Sequence, residues 1–100
     1  MSQVVIVAKL KVKEEFLDEV YQELVKLHSN THKFDDGCIQ YDLHQDTEDK
    51  YSFTFVETWA NQEALSNHEK KEHFISFVNA LEDKLESLNI DKLKKLDIRI

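Results

Sequence analysis

The sequence predicts an α+β fold of the ferredoxin-like, split βαβ type, in which helices cover one face of an antiparallel sheet. Hydrophobic residues make up 41% of the 100 residues and charged residues 33%, which is typical of a globular domain with a core. The hydrophobic period changes along the chain in the order strand, helix, strand, strand, helix pair, strand. With one glycine, no proline and no low-complexity stretch, residues 1–100 are expected to form a single domain.

The first third of the chain is expected to hold a strand, a helix and a loop. Residues 4–12 are rich in β-branched side chains and end in the alternation typical of a strand. Apolar residues then recur at helical spacing, as Phe16, Val20, Leu24 and Leu27. The polar stretch 29–37 is predicted to be a loop, because it ends in Asp-Asp-Gly. Its glycine, Gly37, is expected where the backbone needs a positive φ.

Two alternating strands joined by a polar turn are expected next. Residues 39–44 alternate between apolar and polar side chains, and the acidic stretch 46–50 makes the connection. Residues 51–59 form the second strand, whose aromatic face also carries Glu57. Burial among aromatic side chains raises the pKa of a carboxyl group. Glu57 is therefore a candidate general acid or base, with a purely structural, hydrogen-bonded glutamate as the alternative.

The last third is expected to hold two helices and a strand. Asn61 is a suitable N-cap for a short helix. A longer helix is predicted from about residue 71, with apolar residues at helical spacing as far as Leu88. The chain is expected to close with a strand over residues 93–100, where apolar and charged residues alternate.

The charge balance and the single cysteine restrict the partners and the location. A net charge of −7 argues against nucleic acid or an anionic membrane as partner, since both are bound by concentrated basic residues. No apolar run approaches the roughly 20 residues that cross a bilayer, and the first residues lack a signal-peptide pattern. Cys38 has no partner for a disulfide within the chain, which agrees with a reducing compartment. A cytoplasmic protein is expected.

Two histidines in the predicted helix pair are candidate functional residues. On one continuous helix His68 and His73 would point about 140° apart, so they converge only if the helix breaks between them. Two histidines without a third ligand at a defined spacing are a poor metal signature, and no metal site is expected. A neutral histidine that orients a ligand or moves a proton is the preferred interpretation.

Aromatic residues accompany these histidines and are expected to form a binding site for a flat, apolar ring. An ordinary aromatic core is the alternative. The residues expected to line the ring site are Tyr41, Phe55, Trp59 and Phe74.

Four short motifs follow one another along the chain: Gly37-Cys38-x-x-Tyr41-x-Leu43, Glu57-x-Trp59, Ala64-Leu65-x-x-His68 and His73-Phe74-x-x-Phe77. In this order and spacing they resemble the antibiotic biosynthesis monooxygenase (ABM) family, over essentially the whole chain. The resemblance implies ferredoxin-like subunits that pair through their sheets into a homodimer, a dimeric α/β barrel. It also implies a pocket between each sheet and its helices.

The resemblance leaves several activities open, because members include quinol monooxygenases, polyketide-ring oxygenases, haem-degrading enzymes and proteins acting on a phosphorylated signalling sugar. Positions that haem-degrading members fill with asparagine, tryptophan and histidine fall near Ala8, His68 and Val78 here. This departure argues against haem breakdown. Trp59, which the sugar-directed relatives lack, favours the quinol type.

The function implied is a cofactor-independent monooxygenase that acts on a quinol or other phenolic ring with dioxygen and uses no flavin or metal. On this interpretation the four aromatic residues above bind the ring, and His68 or His73 accepts a proton or donates a hydrogen bond. Glu57 orients a histidine or stabilises the barrel. The alternatives are a non-catalytic, small-ligand-binding or stress-related dimer and an ABM-type enzyme acting on a phosphorylated signalling sugar.

Overall fold

The computed structural model describes residues 2–98, and its elements follow the predicted order. They are β1 (Val4–Val12), a 3-10 turn (Glu14–Phe16), α1 (Leu17–Phe34), β2 (Cys38–Gln45), β3 (Ser52–Trp59), α2 (Gln62–Lys70), α3 (Glu72–Ala80) and β4 (Leu85–Lys94). The strands form one antiparallel sheet in the order β2-β3-β1-β4. This is the predicted ferredoxin-like α+β fold.

The core lies between the helices and one face of the sheet. Alternate residues of β1 and β3 are buried there, as the period of two along a strand requires. The buried apolar side chains are Ile6, Leu10, Val12, Val20, Leu24, Leu27, Tyr41, Phe53, Phe55, Trp59, Leu65 and Leu81. The predicted stripe of α1 and the aromatic face of β3 therefore belong to one core.

Helix α1 extends into the stretch that was predicted to be a loop. It ends at Phe34, and Thr31 continues the buried stripe one turn beyond Leu27. Neither glycine nor proline interrupts residues 29–34, and the basic residues His32 and Lys33 lie in the last turn, where the helix dipole favours positive charge. The loop is therefore confined to residues 35–37.

Helices α2 and α3 are separated by a single residue. The Asn61 side chain caps α2 as predicted, by accepting a hydrogen bond from the backbone N–H of Ala64 at 2.9 Å. Lys71 has extended backbone angles, φ −67° and ψ 144°, and it both ends α2 and precedes α3. The axis breaks between His68 and His73, which is the condition for their side chains to converge.

The last strand lies earlier than predicted. Helix α3 ends at Ala80 instead of continuing to Leu88, and β4 begins at Leu85. The chain turns through Asp83, whose φ of 63° is in the left-handed region that aspartate tolerates better than most residues. Residues 95–98 are not part of the strand, and Arg99 and Ile100, the end of the predicted strand, lie outside the described residues.

Apolar side chains remain exposed along and beyond β4. They are Leu88, Ile90, Leu93, Leu96 and Ile98. Among residues 2–98, no helix combines the length and the apolar character that crossing a membrane requires.

Candidate active site

A cavity of about 300 Å³ lies between the sheet and the helices. Its lining is mainly apolar and comes from β1, β2, β3, β4 and all three helices. The carboxyl groups on its wall are those of Glu57, Glu69 and Glu82, and His68 contributes an imidazole. No lysine or arginine lines it in the described part of the chain. The cavity thus combines an apolar interior with acidic groups and one histidine.

Three of the four aromatic residues predicted to bind a ring line this cavity. Tyr41 and Phe55 lie side by side with ring centroids 5.1 Å apart, and Phe74 lies across from them on α3. Trp59 is different, because it is fully buried and is not part of the cavity wall. Its indole packs against the imidazole of His68, with ring centroids 4.5 Å apart. Trp59 therefore packs behind His68 and does not line the ring site.

His68 is held by a carboxylate that follows α1. Its Nδ1 atom forms a hydrogen bond with Oδ2 of Asp35, and both side chains are only 1% exposed. Since an ionised carboxylate can only accept, Nδ1 donates and the lone pair of the neutral ring is on Nε2. His68 lines the cavity, and its Nε2 atom is buried without a hydrogen-bond partner among the described residues. The lone pair of Nε2 therefore has no protein partner among the described residues.

Burial lowers the pKa of His68, and the hydrogen bond and charge of Asp35 oppose that shift. The ring is consequently neutral near neutral pH, the form that can accept a proton. Desolvation and a fixed hydrogen bond are the usual means by which proteins prepare a general base.

His73 approaches the same carboxylate from α3. Its Nε2 atom is 3.0 Å from Oδ1 of Asp35, but the two atoms are not aligned for a hydrogen bond. The His73 side chain is 14% exposed and lines a separate crevice together with Phe34 and Glu72. The helix break thus brings both histidines to Asp35, but only His68 lines the cavity.

Glu57 is buried on β3 and accepts a hydrogen bond from Nε1 of Trp59 at 3.0 Å. Burial raises its pKa to about 7, with the indole hydrogen bond opposing the shift and the charge of Glu69 adding to it. The raised pKa was predicted from its aromatic surroundings. In the described hydrogen bonds Glu57 contacts Trp59, while Asp35 orients His68. Glu57 can therefore exchange a proton near neutral pH.

The chain matches the sequence model described as "Antibiotic biosynthesis monooxygenase" over residues 3–80. It belongs to this family. It is similar to "Putative monooxygenase YcnE" of Bacillus subtilis, with 37% identity over 79 residues that cover 75% of this chain and 78% of the relative. It is also similar to "Uncharacterized protein sll1783" of Synechocystis, with 30% identity over 82 residues, 82% of this chain and 55% of that relative. The chain thus spans about half the length of the Synechocystis protein.

The crystal structure of PA3566 from Pseudomonas aeruginosa has the same fold as this ABM chain. The two superpose with a TM-score of 0.88 over 97% of each chain, at 31% sequence identity. The resemblance drawn from the four motifs is therefore confirmed at the level of family and fold.

Asp35 is the residue of this ABM site that the sequence prediction missed. Both Asp35 and Asp36 fit a turn before Gly37, and the local pattern does not distinguish them. The signal is the helix period, because Asp35 lies four residues beyond buried Thr31. An α1 predicted to its true end would have directed Asp35 toward the core.

Asp35 also supplies the third donor that the sequence prediction found lacking for a metal. Asp35, His68 and His73 each offer one ligand atom, and these atoms lie within 4.8 Å of one another. Two of these candidate donors, Nδ1 of His68 and Oδ2 of Asp35, already share a hydrogen bond. We therefore interpret Asp35 and His68 of this ABM chain as a hydrogen-bonded pair with His73 beside it, and a metal bound through the two paired atoms would displace the proton that they share.

Proposed function

We propose that this ABM protein is a cofactor-independent monooxygenase that oxidises a quinol or another phenolic ring with dioxygen. The observation that carries the proposal is His68, which lines an apolar cavity with Nδ1 held by Asp35 and Nε2 without a partner. A volume of about 300 Å³ is at the lower end of ligand sites in proteins, and suits a substrate of one or two rings.

The cavity wall favours an aromatic ring over a phosphorylated sugar. Tyr41, Phe55 and Phe74 offer ring faces and edges for stacking. A phosphate group is generally bound by lysine, arginine or a helix N-terminus, whereas the charged residues of this wall are glutamates. The phosphorylated signalling sugar is therefore the weaker alternative.

His68 would begin the reaction by accepting a proton from a ring hydroxyl at Nε2, with Asp35 stabilising the imidazolium that forms. The electron-rich anion then gives one electron to dioxygen, and the two radicals combine to form a C–O bond at the ring carbon next to the oxygen. Protonation of the peroxide and loss of that carbon's hydrogen break the O–O bond and release water. Substrate and dioxygen thus become a hydroxylated quinone and water without an external reductant.

Glu57 would supply the acid that the second half of this reaction needs. With a pKa of about 7, a sizeable fraction of Glu57 is protonated at neutral pH and can donate to the departing oxygen. His68 and Glu57 thus have opposite roles, set by environments that keep one neutral and basic and the other partly protonated. His73 stays outside the cavity and acts only through Asp35.

The test is oxygen consumption by chelator-treated protein with reduced 2-methyl-1,4-naphthoquinone, against a heat-denatured control. The His68→Asn variant is expected to lower kcat/KM by about 100-fold or more, the usual contribution of a general base. The matched control is His44→Asn, because His44 is an exposed histidine on β2. A wild-type rate equal to autoxidation would overturn the proposed function.

Asp35→Asn tests the positioning role, with Asp36→Asn as its exposed neighbour and control. We expect Asp35→Asn to lower kcat/KM at least about tenfold and to change the tautomer of His68, seen in its imidazole 15N chemical shifts. A normal tautomer in that variant would mean that Asp35 does not orient the ring.

We also propose that the chain forms a homodimer through the sheet face opposite the helices. Val5, Val7 and Val56 are only half-buried on that face, and Leu93 is exposed there. Light scattering at micromolar concentration should give twice the chain mass. Val7→Lys should give a monomer that still folds, since Asp91 is its neighbour on β4. A monomeric wild type would contradict the dimer. The cytoplasmic location stays a prediction.

A further inference from the structure

The carboxylates of the cavity lie at different depths. Glu57 is buried on β3, whereas Glu69 at the end of α2 and Glu82 after α3 are exposed side chains that also line the cavity. Two of the three carboxylates on the wall are therefore in contact with solvent. None of the 13 lysine and arginine residues of the chain is part of the wall described around the cavity.

We propose that Glu69 and Glu82 restrict the substrate to uncharged rings and reject rings that carry a carboxylate, sulfonate or phosphate. The proposal rests on the proposed function, because it names the substrate class of the same cavity. A bound anion would face the two exposed carboxylates without a cation on the wall, so like charges oppose its entry.

The buried end of the cavity gives a second reason to reject an anion. A charged substituent placed there would lose its hydration among Phe55, Phe74 and Phe77 without gaining a charged partner of opposite sign. The anion that forms during the reaction does not meet this difficulty, because its negative charge arises beside the protonated ring of His68. The site thus accepts a neutral ring and stabilises its charge only after the proton has moved to Nε2.

Each exposed carboxylate is expected to act modestly and in a salt-dependent way. Charges in contact with water interact by about 1 kcal/mol at 4 Å, so one glutamate corresponds to a few-fold change in affinity. Two glutamates and the apolar interior together are expected to weaken an anionic ring at least about tenfold relative to its neutral analogue at low ionic strength. Salt should reduce the part that comes from the glutamates.

The experiment compares two oxidised probes, which bind without turnover. Titration calorimetry measures Kd for uncharged 2-methyl-1,4-naphthoquinone and for anionic 1,4-naphthoquinone-2-sulfonate, at about 20 mM and 300 mM salt. The double variant Glu69→Gln, Glu82→Gln removes the exposed charges. The matched control is Glu63→Gln, Glu86→Gln, which changes exposed glutamates of α2 and β4 that are outside the cavity wall.

In the wild type we expect the uncharged probe to bind at least about tenfold more tightly, and the ratio to fall at high salt. The cavity variant should reduce the low-salt ratio to roughly threefold by improving the Kd of the sulfonate, and the control variant should leave it unchanged. Equal Kd values in the wild type, a ratio that the cavity variant does not change, or no binding of either probe would overturn the proposal. Selective binding combined with oxygen consumption at the autoxidation rate would instead overturn only the proposed function.

Discussion

Strands β3 and β4 flank the same strand, β1, yet only β3 is covered by helices. Phe53 and Leu88 are the partners of Leu10 on either side, and they are 1% and 55% exposed. Phe55 and Ile90 flank Ala8 in the same way, at 2% and 58%. On the helix side of the sheet, the helices therefore cover β3 but leave β4 exposed.

The cavity lies at that boundary, since its wall includes both Phe55 and Ile90. Its covered side holds His68 and Glu57, because burial lowers the pKa of His68 and raises that of Glu57. Its uncovered side holds the exposed apolar side chains of β4, Leu88 and Ile90. We infer that proton transfer belongs to the covered side of the cavity and that a ligand enters along the exposed apolar side.

The largest expected effect comes from truncating the covered strand. Phe53→Ala should lower the free energy of unfolding by about 3–5 kcal/mol, because it removes a buried ring and leaves a cavity beneath α1. Urea denaturation monitored by circular dichroism measures the loss. A change below about 1 kcal/mol would mean that β3 is not part of the tightly packed core.

Gly37 lies between α1 and β2 and packs against α2. Its replacement is expected to give the next largest loss of stability. The backbone has φ 76°, as the sequence predicted, and a Cβ at this position would lie 2.6 Å from Cβ of Ala64. Gly37→Val should cost about 2–4 kcal/mol, from backbone strain and overpacking against α2. The melting temperature should fall by roughly 10 °C or more.

The companion variant Gly37→Ala, Ala64→Gly separates the two causes of that loss, since it removes the clash and keeps the positive φ. It should recover part of the stability relative to Gly37→Ala alone. An unchanged melting temperature in Gly37→Val would show that neither cause operates.

Much of the fold follows from local patterns that the structure obeys. The patterns that predicted these elements are short-range: the apolar stripe of α1, the alternation of β2 and β3, and the Asn61 cap of α2. Each of these elements lies in the part of the chain where its pattern predicted it. The predicted end of α1 was wrong, because the polar residues 29–34 are helical. Only the burial of Thr31 in the core distinguishes this stretch from a loop.

The position of β4 could not be obtained from periodicity. Leu81, Leu85 and Leu88 have helical spacing, but Leu85 and Leu88 belong to the strand. The pairing register with β1 shifts between Lys11 and Val12, so an irregularity in the strand removes the alternation that would identify it. The turn before the strand uses Asp83 at positive φ, without the glycine that usually marks such a turn.

The candidate site was predicted as a set of residues, and its geometry was not. Tyr41, Phe55, Glu57, His68 and Phe74 meet at one cavity. The convergence of His68 with Asp35 depends on where α1 ends and on the break at Lys71, which are tertiary features. A pattern within one element cannot report which carboxylate of a distant loop packs against a histidine 33 residues away.

The pH dependence of stability probes the covered side of the cavity, through Glu57. Its pKa is about 7 in the fold against 4.5 for an ordinary glutamate, so the fold favours the protonated form. This contribution is fully present below pH 4.5 and is lost as the pH rises to about 7. Glu57→Gln keeps an acceptor for Trp59, and should be more stable than the wild type at pH 8 by about 2–3 kcal/mol.

Urea denaturation at pH 5 and pH 8 tests this difference, with exposed Glu63→Gln as the control. The advantage of Glu57→Gln should fall below about 1 kcal/mol at pH 5. A difference that is the same at both pH values would show that the effect comes from packing and not from the charge.

The smallest effect on stability is expected at β4, the strand without helix cover. Substitutions on its two faces are expected to have different consequences. Ile90 is on the helix side and is more than half exposed, so Ile90→Ala should change the free energy of unfolding by about 0.5 kcal/mol or less. Leu93, paired with Val5, is on the face proposed to join two copies. Leu93→Ala should therefore lower the melting temperature in a way that depends on protein concentration, because it weakens association.

Thermal melts of both variants between about 5 and 200 µM distinguish the faces. Ile90→Ala should show the wild-type dependence on concentration, and its loss should appear instead as weaker binding of the uncharged naphthoquinone. If Ile90→Ala instead weakens association and Leu93→Ala instead weakens ligand binding, the second copy covers the mouth of the cavity. The exposed apolar side chains of the mouth would then be an interface, and the substrate would enter by another route.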